Sequence, residues 1–376
     1  MNVFSINLKS FYVAILALYI AFSVFMSDYF FRLESNIKEL IIFPLVLAFA
    51  FSIMFKSKIN ANWSAFIYLI LIIIFYFVGL MNYAPDKFGI RYYLIPLIIY
   101  LVVRYVLNVV HQRRLVVFLW GYLWLILCVG LYEIISNISS LSELIQGINI
   151  FDNLKIIRSY LFFQIPNLAG LSLASLILFI YLNEERSVFK TITLSISFVV
   201  ILYVFSKTAI VALVIAIIFY YFLIANRASK LLISLVLFFV LSYIIDVALN
   251  DESFLMRTGM WEEETLSMIS GFGEGIGFVS VSSSAQGGLI LDSDILRFLL
   301  EVGVMGFLSF LLFLFADSVK QKNYKASAYG FFILINMTMG DFHSMYPGVA
   351  ISYICLALLL KKNCLHSKNT VGVCGS

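Results

Sequence analysis

Long apolar segments, separated by short polar ones, fill most of the chain. Each is close to the roughly 20 residues that a helix needs to cross a bilayer. In chain order they are residues 10–27, 38–55, 63–81, 92–110, 115–135, 161–182, 190–206, 208–225, 231–249, 295–316, 326–340 and 345–360. The pattern predicts an all-α polytopic integral membrane protein of about 12 transmembrane helices. No internal repeat or linker is visible, so residues 1–376 are expected to form a single integral membrane domain.

Composition agrees with this pattern. Of the 376 residues, 62% are hydrophobic and 12% are charged, whereas soluble domains are about 45–50% apolar and about 25% charged. So few charges cannot cover a water-facing surface, which excludes a soluble multi-domain enzyme and a disordered chain. Basic residues do not alternate with aromatic ones in a soluble patch, so membrane lipids rather than nucleic acid are the expected surroundings.

The distribution of charge predicts the orientation. With the N-terminus inside, sixteen of the 25 basic residues fall on the inner side and eighteen of the 21 acidic residues on the outer side, as the positive-inside rule requires. Both termini are then cytoplasmic. Two outer loops are long, residues 136–160 and 250–294, and the larger of them separates the ninth and tenth helices.

Three cations on the predicted outer side are the first candidates for chemistry. Arg158 precedes the sixth span, Lys207 lies between the seventh and eighth, and Arg257 lies in the large loop. Each alone is compatible with snorkelling towards lipid headgroups. Together they could form a cationic site for a lipid-linked phosphate or diphosphate, since arginine matches phosphate oxygens and keeps its charge.

A second group lies at the outer end of the tenth span. Asp294, Arg297 and Glu301 share one helix face and could form an internal salt-bridge ladder. Alternatively, Asp292 or Asp294 could meet a substrate hydroxyl. Ionisable groups at membrane depth are costly to bury, so they are candidates for a functional role.

Other candidates are weaker. Trp261 could anchor an interfacial helix or stack on a sugar. Asn167, next to Pro166, could bond a carbonyl freed by the proline or a sugar hydroxyl. His343 could act as a base only if it lies near Arg257. The three histidines, His111, His343 and His366, are far apart in the chain, so neither a metal site nor a cofactor is expected.

The glycine-rich run GFGEGIGF at 271–278 does not fit a nucleotide-binding pattern. It can be interpreted as a flexible outer loop, or as a turn where the backbone must approach a ligand closely.

Four blocks, in this order, resemble the Wzy/WaaL-type superfamily of bacterial O-antigen polymerases and ligases. They are Arg158 with Pro166–Asn167, FSKTAIVAL at 205–213, the large loop with Arg257, Trp261 and GFGEGIGF, and DSDILRFLLEVGVMGFLSF at 292–310. The last block is similar to a family stretch that ends in Glu-x-Gly-x-x-Gly, here Glu301, Gly303 and Gly306. Lys207 stands where the family usually has arginine, which keeps the charge and loses the bidentate geometry.

The resemblance implies a metal-independent glycosyltransferase on the periplasmic face of the bacterial inner membrane. Donor and acceptor would be glycans on undecaprenyl diphosphate, and a flippase and a chain-length regulator would be partners. By the resemblance, Arg158, Arg257, Asp292 and Asp294 would be catalytic, and Lys207, Asn167, Trp261, Arg297 and His343 would bind substrate.

Two other functions remain open. The ligase branch, which transfers the glycan to lipid A–core, tends to have a histidine where this chain has Asp292, Ser293 and Asp294, and this favours the polymerase. A lipid-linked oligosaccharide flippase could also have twelve spans. Transporters place polar sites at the midplane, often within inverted repeats, which this sequence does not show.

Overall fold

The computed structural model describes residues 63–82, 90–109, 112–137, 166–185, 187–204, 206–249, 267–279, 293–339 and 348–361. The regular elements of these ranges are helices. They are α1 (Trp63–Asn82), α2 (Arg91–Val109), α3 (Gln112–Ser136), α4 (Pro166–Asn183), α5 (Val188–Val204), α6 (Lys207–Ile224), α7 (Arg227–Leu249), α8 (Asp294–Glu301), α9 (Gly303–Lys320), α10 (Tyr324–Met339) and α11 (Gly348–Leu360).

These helices coincide with ten of the twelve predicted apolar segments. Four of them, α1, α3, α6 and α9, are long and apolar enough to cross a membrane. The described part is therefore compatible with a helical membrane protein. The predicted spans 10–27 and 38–55 lie outside the described residues, as do most of the two long predicted loops.

The centre of the bundle is formed by α4 and α11, which pack against each other. Every residue of α11 from Gly348 to Leu360 is buried. Neither helix contains a charged residue, as expected of helices without a water-facing side. Small side chains bring the two backbones close together: the hydroxyls of Ser175 and Ser352 are hydrogen-bonded at 2.7 Å.

The other helices surround this pair. Packing contacts join α2 to α11, α5 and α6 to α4, α10 to α6, α9 to α1 and α10, and α3 to α5. On the outside, large apolar side chains are exposed, among them Ile70 and Phe77 of α1, Phe198 of α5, and Leu232 and Phe238 of α7. A bundle that is apolar both inside and outside suits lipid surroundings better than water.

Contacts between distant helices group their ends at two poles. At one pole, the Tyr93 hydroxyl at the start of α2 donates to Glu301 Oε2 at 2.6 Å. At the other pole, the side-chain amide of Asn323, after α9, donates to Leu359 O of α11 at 2.7 Å. We call these poles the Glu301 end and the Asn323 end. Helices that run alternately up and down through the bundle would place their ends in this way.

A second carboxyl group ties α2 to α9 between these poles. Asp317 Oδ2 accepts a hydrogen bond from the Tyr100 hydroxyl at 3.0 Å and lies 3.6 Å from the Arg104 guanidinium. The arginine inside the fourth predicted segment therefore has an acidic partner on a neighbouring helix, which offsets part of its desolvation.

The tenth predicted span departs from the sequence-based expectation. Residues 295–316 are not one continuous helix, because the chain breaks between α8, which ends at Glu301, and α9, which begins at Gly303. Gly303 takes a φ of +68°, a left-handed conformation that glycine adopts without steric cost. The break lies at the Glu301 end of the bundle.

Gly170→Ala should destabilise the α4–α6 packing. A Cβ at Gly170 would overlap the Ser206 side chain and meet the Ala209 methyl at 3.3 Å, and overpacking of this kind costs about 1–3 kcal/mol. The measurement is the thermal midpoint of the purified chain in detergent. Gly121→Ala in α3 is the matched control, because nothing lies within 4 Å of its added methyl group. An equal loss in both variants would contradict this packing.

Candidate functional site

The helix break at Val302 leaves backbone groups without intrahelical partners. Residues 270–279, which we call the glycine loop, supply those partners. Four hydrogen bonds connect them: Glu274 N to Leu300 O (2.9 Å), Gly275 N to Glu301 O (2.9 Å), Val304 N to Ser270 O (3.1 Å) and Met305 N to Gly271 O (3.2 Å). The loop thus caps the end of α8 and the start of α9 together, as an apolar environment requires.

The glycines of this loop allow backbone to touch backbone. A Cβ at Gly273 would overlap the main chain of Glu301 and Gly303. Gly275 has a φ of +106°, and a Cβ there would lie 2.5 Å from the Gly79 nitrogen of α1. The close approach is therefore to the protein's own helices. The interpretation of GFGEGIGF as a flexible loop does not hold for these residues, and no ligand is needed to explain their glycines.

The carboxyl group of Glu301 lies at the centre of this arrangement and is 0% exposed. Its Oε1 accepts hydrogen bonds from Gly277 N and Val279 N, both at 3.2 Å. Its Oε2 accepts from the Tyr93 hydroxyl and lies 3.6 Å from Arg297 Nε. The hydroxyl and the two amides all donate, and the carboxyl oxygens accept from them. We call these five residues the Glu301 cluster.

Arg297 and Asp294 extend the cluster along α8. The Arg297 guanidinium lies over the Tyr92 ring, 4.2 Å from its centroid, in the geometry of a cation–π contact. Of the predicted ladder of Asp294, Arg297 and Glu301, the pair Arg297–Glu301 is present. Asp294 is 2% exposed at the start of α8 and lies within electrostatic reach of the Tyr68 and Tyr353 hydroxyls.

Two predicted binding residues lie elsewhere in the described part. Asn167 is half-buried in the first turn of α4, and Lys207 is the exposed first residue of α6. These two helix starts are neighbours, since Gly170 packs against Ser206. The remaining predicted residues, Arg158, Arg257, Trp261, Asp292 and His343, lie outside the described residues.

The described parts of the four blocks lie together in two places. Gly170, three residues after Asn167 of the first block, packs against Ser206 of the second block. The third and fourth meet where the glycine loop packs against the α8–α9 break. Residues from distant parts of the sequence are brought together within each pair.

Sequence reasoning assigned no site role to Glu301 or Tyr93. Glu301 carried a usable signal, because it is an acid inside a predicted apolar span. Tyr93 carried none, since tyrosines are common near span ends. Within the described ranges, no three His, Cys, Asp or Glu side chains come together as a metal site would require. The chemistry available there consists of carboxyl, phenol and guanidinium groups.

A scan of the chain against protein-family models finds no match, and a search of curated proteins finds no significant match. The resemblance to the O-antigen polymerases and ligases therefore stays a prediction.

Gly273→Ala should loosen the glycine loop from the helix break. The added methyl would overlap the backbone of Glu301 and Gly303, which cannot give way as a flexible side chain can, and a cost of about 1–3 kcal/mol is expected. Thermal unfolding of the purified chain measures it. Gly271→Ala in the same loop is the control, because nothing lies within 4 Å of its methyl group. If both variants melt like the wild type, the loop is not packed as described.

Tyr93→Phe and Glu301→Gln should be energetically coupled. Tyr93→Phe removes the donor of the 2.6 Å hydrogen bond to Glu301. Glu301→Gln replaces one acceptor oxygen by an NH2 donor, so it faces either the hydroxyl or the two loop amides with the wrong group. Each single change should cost about 1–3 kcal/mol. The double variant should lose less stability than the two single variants together, with a coupling energy of about 0.5–3 kcal/mol in a double-mutant cycle. Tyr132→Phe, at a side chain that is 72% exposed, should change nothing. Strictly additive losses would show that the bond contributes no stability.

Proposed function

We propose that this chain is a membrane glycosyltransferase that polymerises undecaprenyl-diphosphate-linked repeat units into O-antigen or a related surface polysaccharide. The reaction would take place at the periplasmic face of the bacterial inner membrane, with both termini in the cytoplasm. One observation carries the proposal: the glycine loop and the α8–α9 break, two blocks of the resemblance, are hydrogen-bonded around a buried Glu301. These contacts bring parts of the third and fourth blocks together in one hydrogen-bonded unit.

The proposed reaction transfers a glycan between two lipid carriers. A hydroxyl of the acceptor repeat unit attacks the anomeric carbon of the donor glycan. The new glycosidic bond forms as the bond to undecaprenyl diphosphate breaks, and the hydroxyl proton passes to a base. Because the leaving group is already activated, the protein must chiefly align two substrates and stabilise negative charge on the diphosphate.

Cationic side chains are assigned to the diphosphate. Arg158 and Arg257 hold it in this proposal, since the guanidinium fork binds two phosphate oxygens at once. Lys207 adds a positive charge at the exposed start of α6. Asn167, Trp261 and His343 remain candidates for contacts with the sugars.

The two aspartates receive different roles. Asp294 is 2% exposed, so we assign it to positioning the start of α8 and the groups around it. Its place in the first helical turn suits a carboxylate, which the helix dipole favours there. Asp292, two residues earlier, is the candidate that orients or deprotonates the acceptor hydroxyl. Arg297 lies 3.6 Å from Glu301 and remains a candidate for binding substrate.

The helix break favours a transferase over the flippase. Transporters with discontinuous helices use the freed backbone groups to hold ions or substrate. Here the freed groups at Leu300, Glu301, Val304 and Met305 bond to the glycine loop. The break therefore serves to join a loop to the bundle. In the proposed pathway, a separate flippase supplies the repeat units and a chain-length regulator acts on the product.

Surface glycan from a bacterial strain that lacks this chain tests the proposal. If the chain is a polymerase, a gel should show lipid A–core capped by a single repeat unit, because export and ligation continue. Loss of capped core with polymer left on the lipid carrier would instead identify a ligase. Single repeats trapped on the cytoplasmic face would identify a flippase, and an unchanged ladder would reject all three.

Arg158→Ala and Arg257→Ala, returned to the deleted strain, should each reduce elongation about 10²–10³-fold, the loss typical of removing one charge-stabilising donor. Immunoblots of membranes should show normal amounts of both variants. Arg227→Ala, at the exposed start of α7, removes the same charge and should restore the full ladder. Full-length polymer from either test variant would contradict its assignment.

A further inference from the structure

At the Asn323 end, opposite the Glu301 cluster, a cavity of about 380 Å³ opens between helix ends. Its walls come from the ends of α4, α6 and α11 and from the turn between α9 and α10. Six of its lining residues carry the argument: Asn183, Tyr220, Ile224, Lys322, Lys325 and Lys361. The described lining includes three lysines and no acidic residue, so the cavity is strongly cationic.

The turn that carries two of these lysines is tightly built. Asn323 N donates to Ser318 O at 2.8 Å and Lys322 N donates to Val319 O at 3.0 Å, which is the double bonding of a Schellman motif. Asn323 also caps α10, since its Oδ1 accepts from Ala326 N at 3.1 Å. The backbone that presents Lys322 and Lys325 is therefore fixed.

Lys322 occupies a position that favours glycine. Its φ of +50° is left-handed, and glycine is the usual residue at this place in a Schellman motif. A lysine there opposes the local backbone preference. Its side chain lines the cavity, where a glycine would provide no charge.

The third lysine belongs to the floor of the cavity. Lys361 follows α11, and its ammonium group donates to Leu107 O at the end of α2. This bond holds a positive charge at a helix C-terminus, where the dipole favours it. Tyr220 and Ile224 of α6 add an amphipathic and an apolar wall, a combination that suits a ligand with a charged head and an apolar tail.

We propose that this cavity binds a phosphate group, carried either by an anionic lipid headgroup or by a soluble phosphate compound. Lysine binds phosphate as a point charge, and cationic pockets between helices on the cytoplasmic side are the kind that hold lipid phosphates. The volume lies within the range of small-ligand sites. The charge distribution of the sequence predicts that this end faces the cytoplasm. The site is separate from the proposed transferase site and does not depend on that function.

Binding to the full-length chain, purified in detergent, tests the proposal by native mass spectrometry. The probes are dioleoyl-phosphatidylglycerol, zwitterionic dioleoyl-phosphatidylcholine and inorganic phosphate. Lys322→Gln with Lys325→Gln should weaken phosphatidylglycerol binding about 25-fold, since each lysine near the surface contributes about a factor of five. Arg227→Gln with Lys320→Gln is the matched control, because it removes two exposed charges from the same end outside the cavity.

Lys322→Gly separates binding from folding. It should weaken phosphatidylglycerol binding about fivefold, while the thermal midpoint without ligand stays equal or rises, because glycine suits the left-handed backbone.

The probes also distinguish the two sources of phosphate. Phosphatidylglycerol binding that millimolar inorganic phosphate does not displace would assign the site to a lipid. Binding of inorganic phosphate without a preference for phosphatidylglycerol over phosphatidylcholine would assign it to a soluble compound. The proposal would be overturned if neither phosphatidylglycerol nor inorganic phosphate bound. It would also be overturned if the wild type, the double lysine variant and the control bound phosphatidylglycerol with equal affinity.

Discussion

A helix that breaks inside an apolar bundle must find partners for the backbone groups that the break exposes, because neither lipid nor core side chains can bond them. The rest of the Glu301 end depends on this constraint. The glycine loop bonds the last carbonyls of α8 and the first amides of α9. Such contact requires two main chains to touch, which explains the glycines at 79, 273 and 275. The Glu301 carboxyl then fixes the loop through two further amides.

Much of the fold could be predicted from the sequence, because spanning helices depend on the length and polarity of local segments. Ten predicted segments coincide with helices. The break at Val302 could not be predicted from hydropathy, since residues 295–316 are apolar apart from Arg297, Glu301 and Ser309. Hydropathy predicts which residues avoid water, but it carries no information on which backbone segments pack against each other. The glycine-rich run stands out by its composition, but its packing partners lie on α1, α8 and α9.

Part of the candidate site could also be predicted from the sequence. Spacing along one helix placed Arg297 beside Glu301, and the ion pair is present at 3.6 Å. The Tyr93 contact joins residues 208 positions apart, a separation that no local pattern encodes. A further limit is chemical: a carboxylate that binds substrate and one that binds amides of its own chain look alike in a sequence. Glu301 is of the second kind, since its Oε1 accepts from Gly277 N and Val279 N.

The central position of α11 has a consequence for biosynthesis. Its main partner α4 begins at Pro166, whereas α11 begins at Gly348. At about 5–20 residues per second, the ribosome reaches α11 roughly 10–40 s after α4. During that interval Ser175 and its neighbours have no α11 to pack against and must face lipid, a translocase or other helices. The bundle can therefore close only after α11 has been made, so a stalled or truncated chain would leave the face of α4 that packs on α11 uncovered.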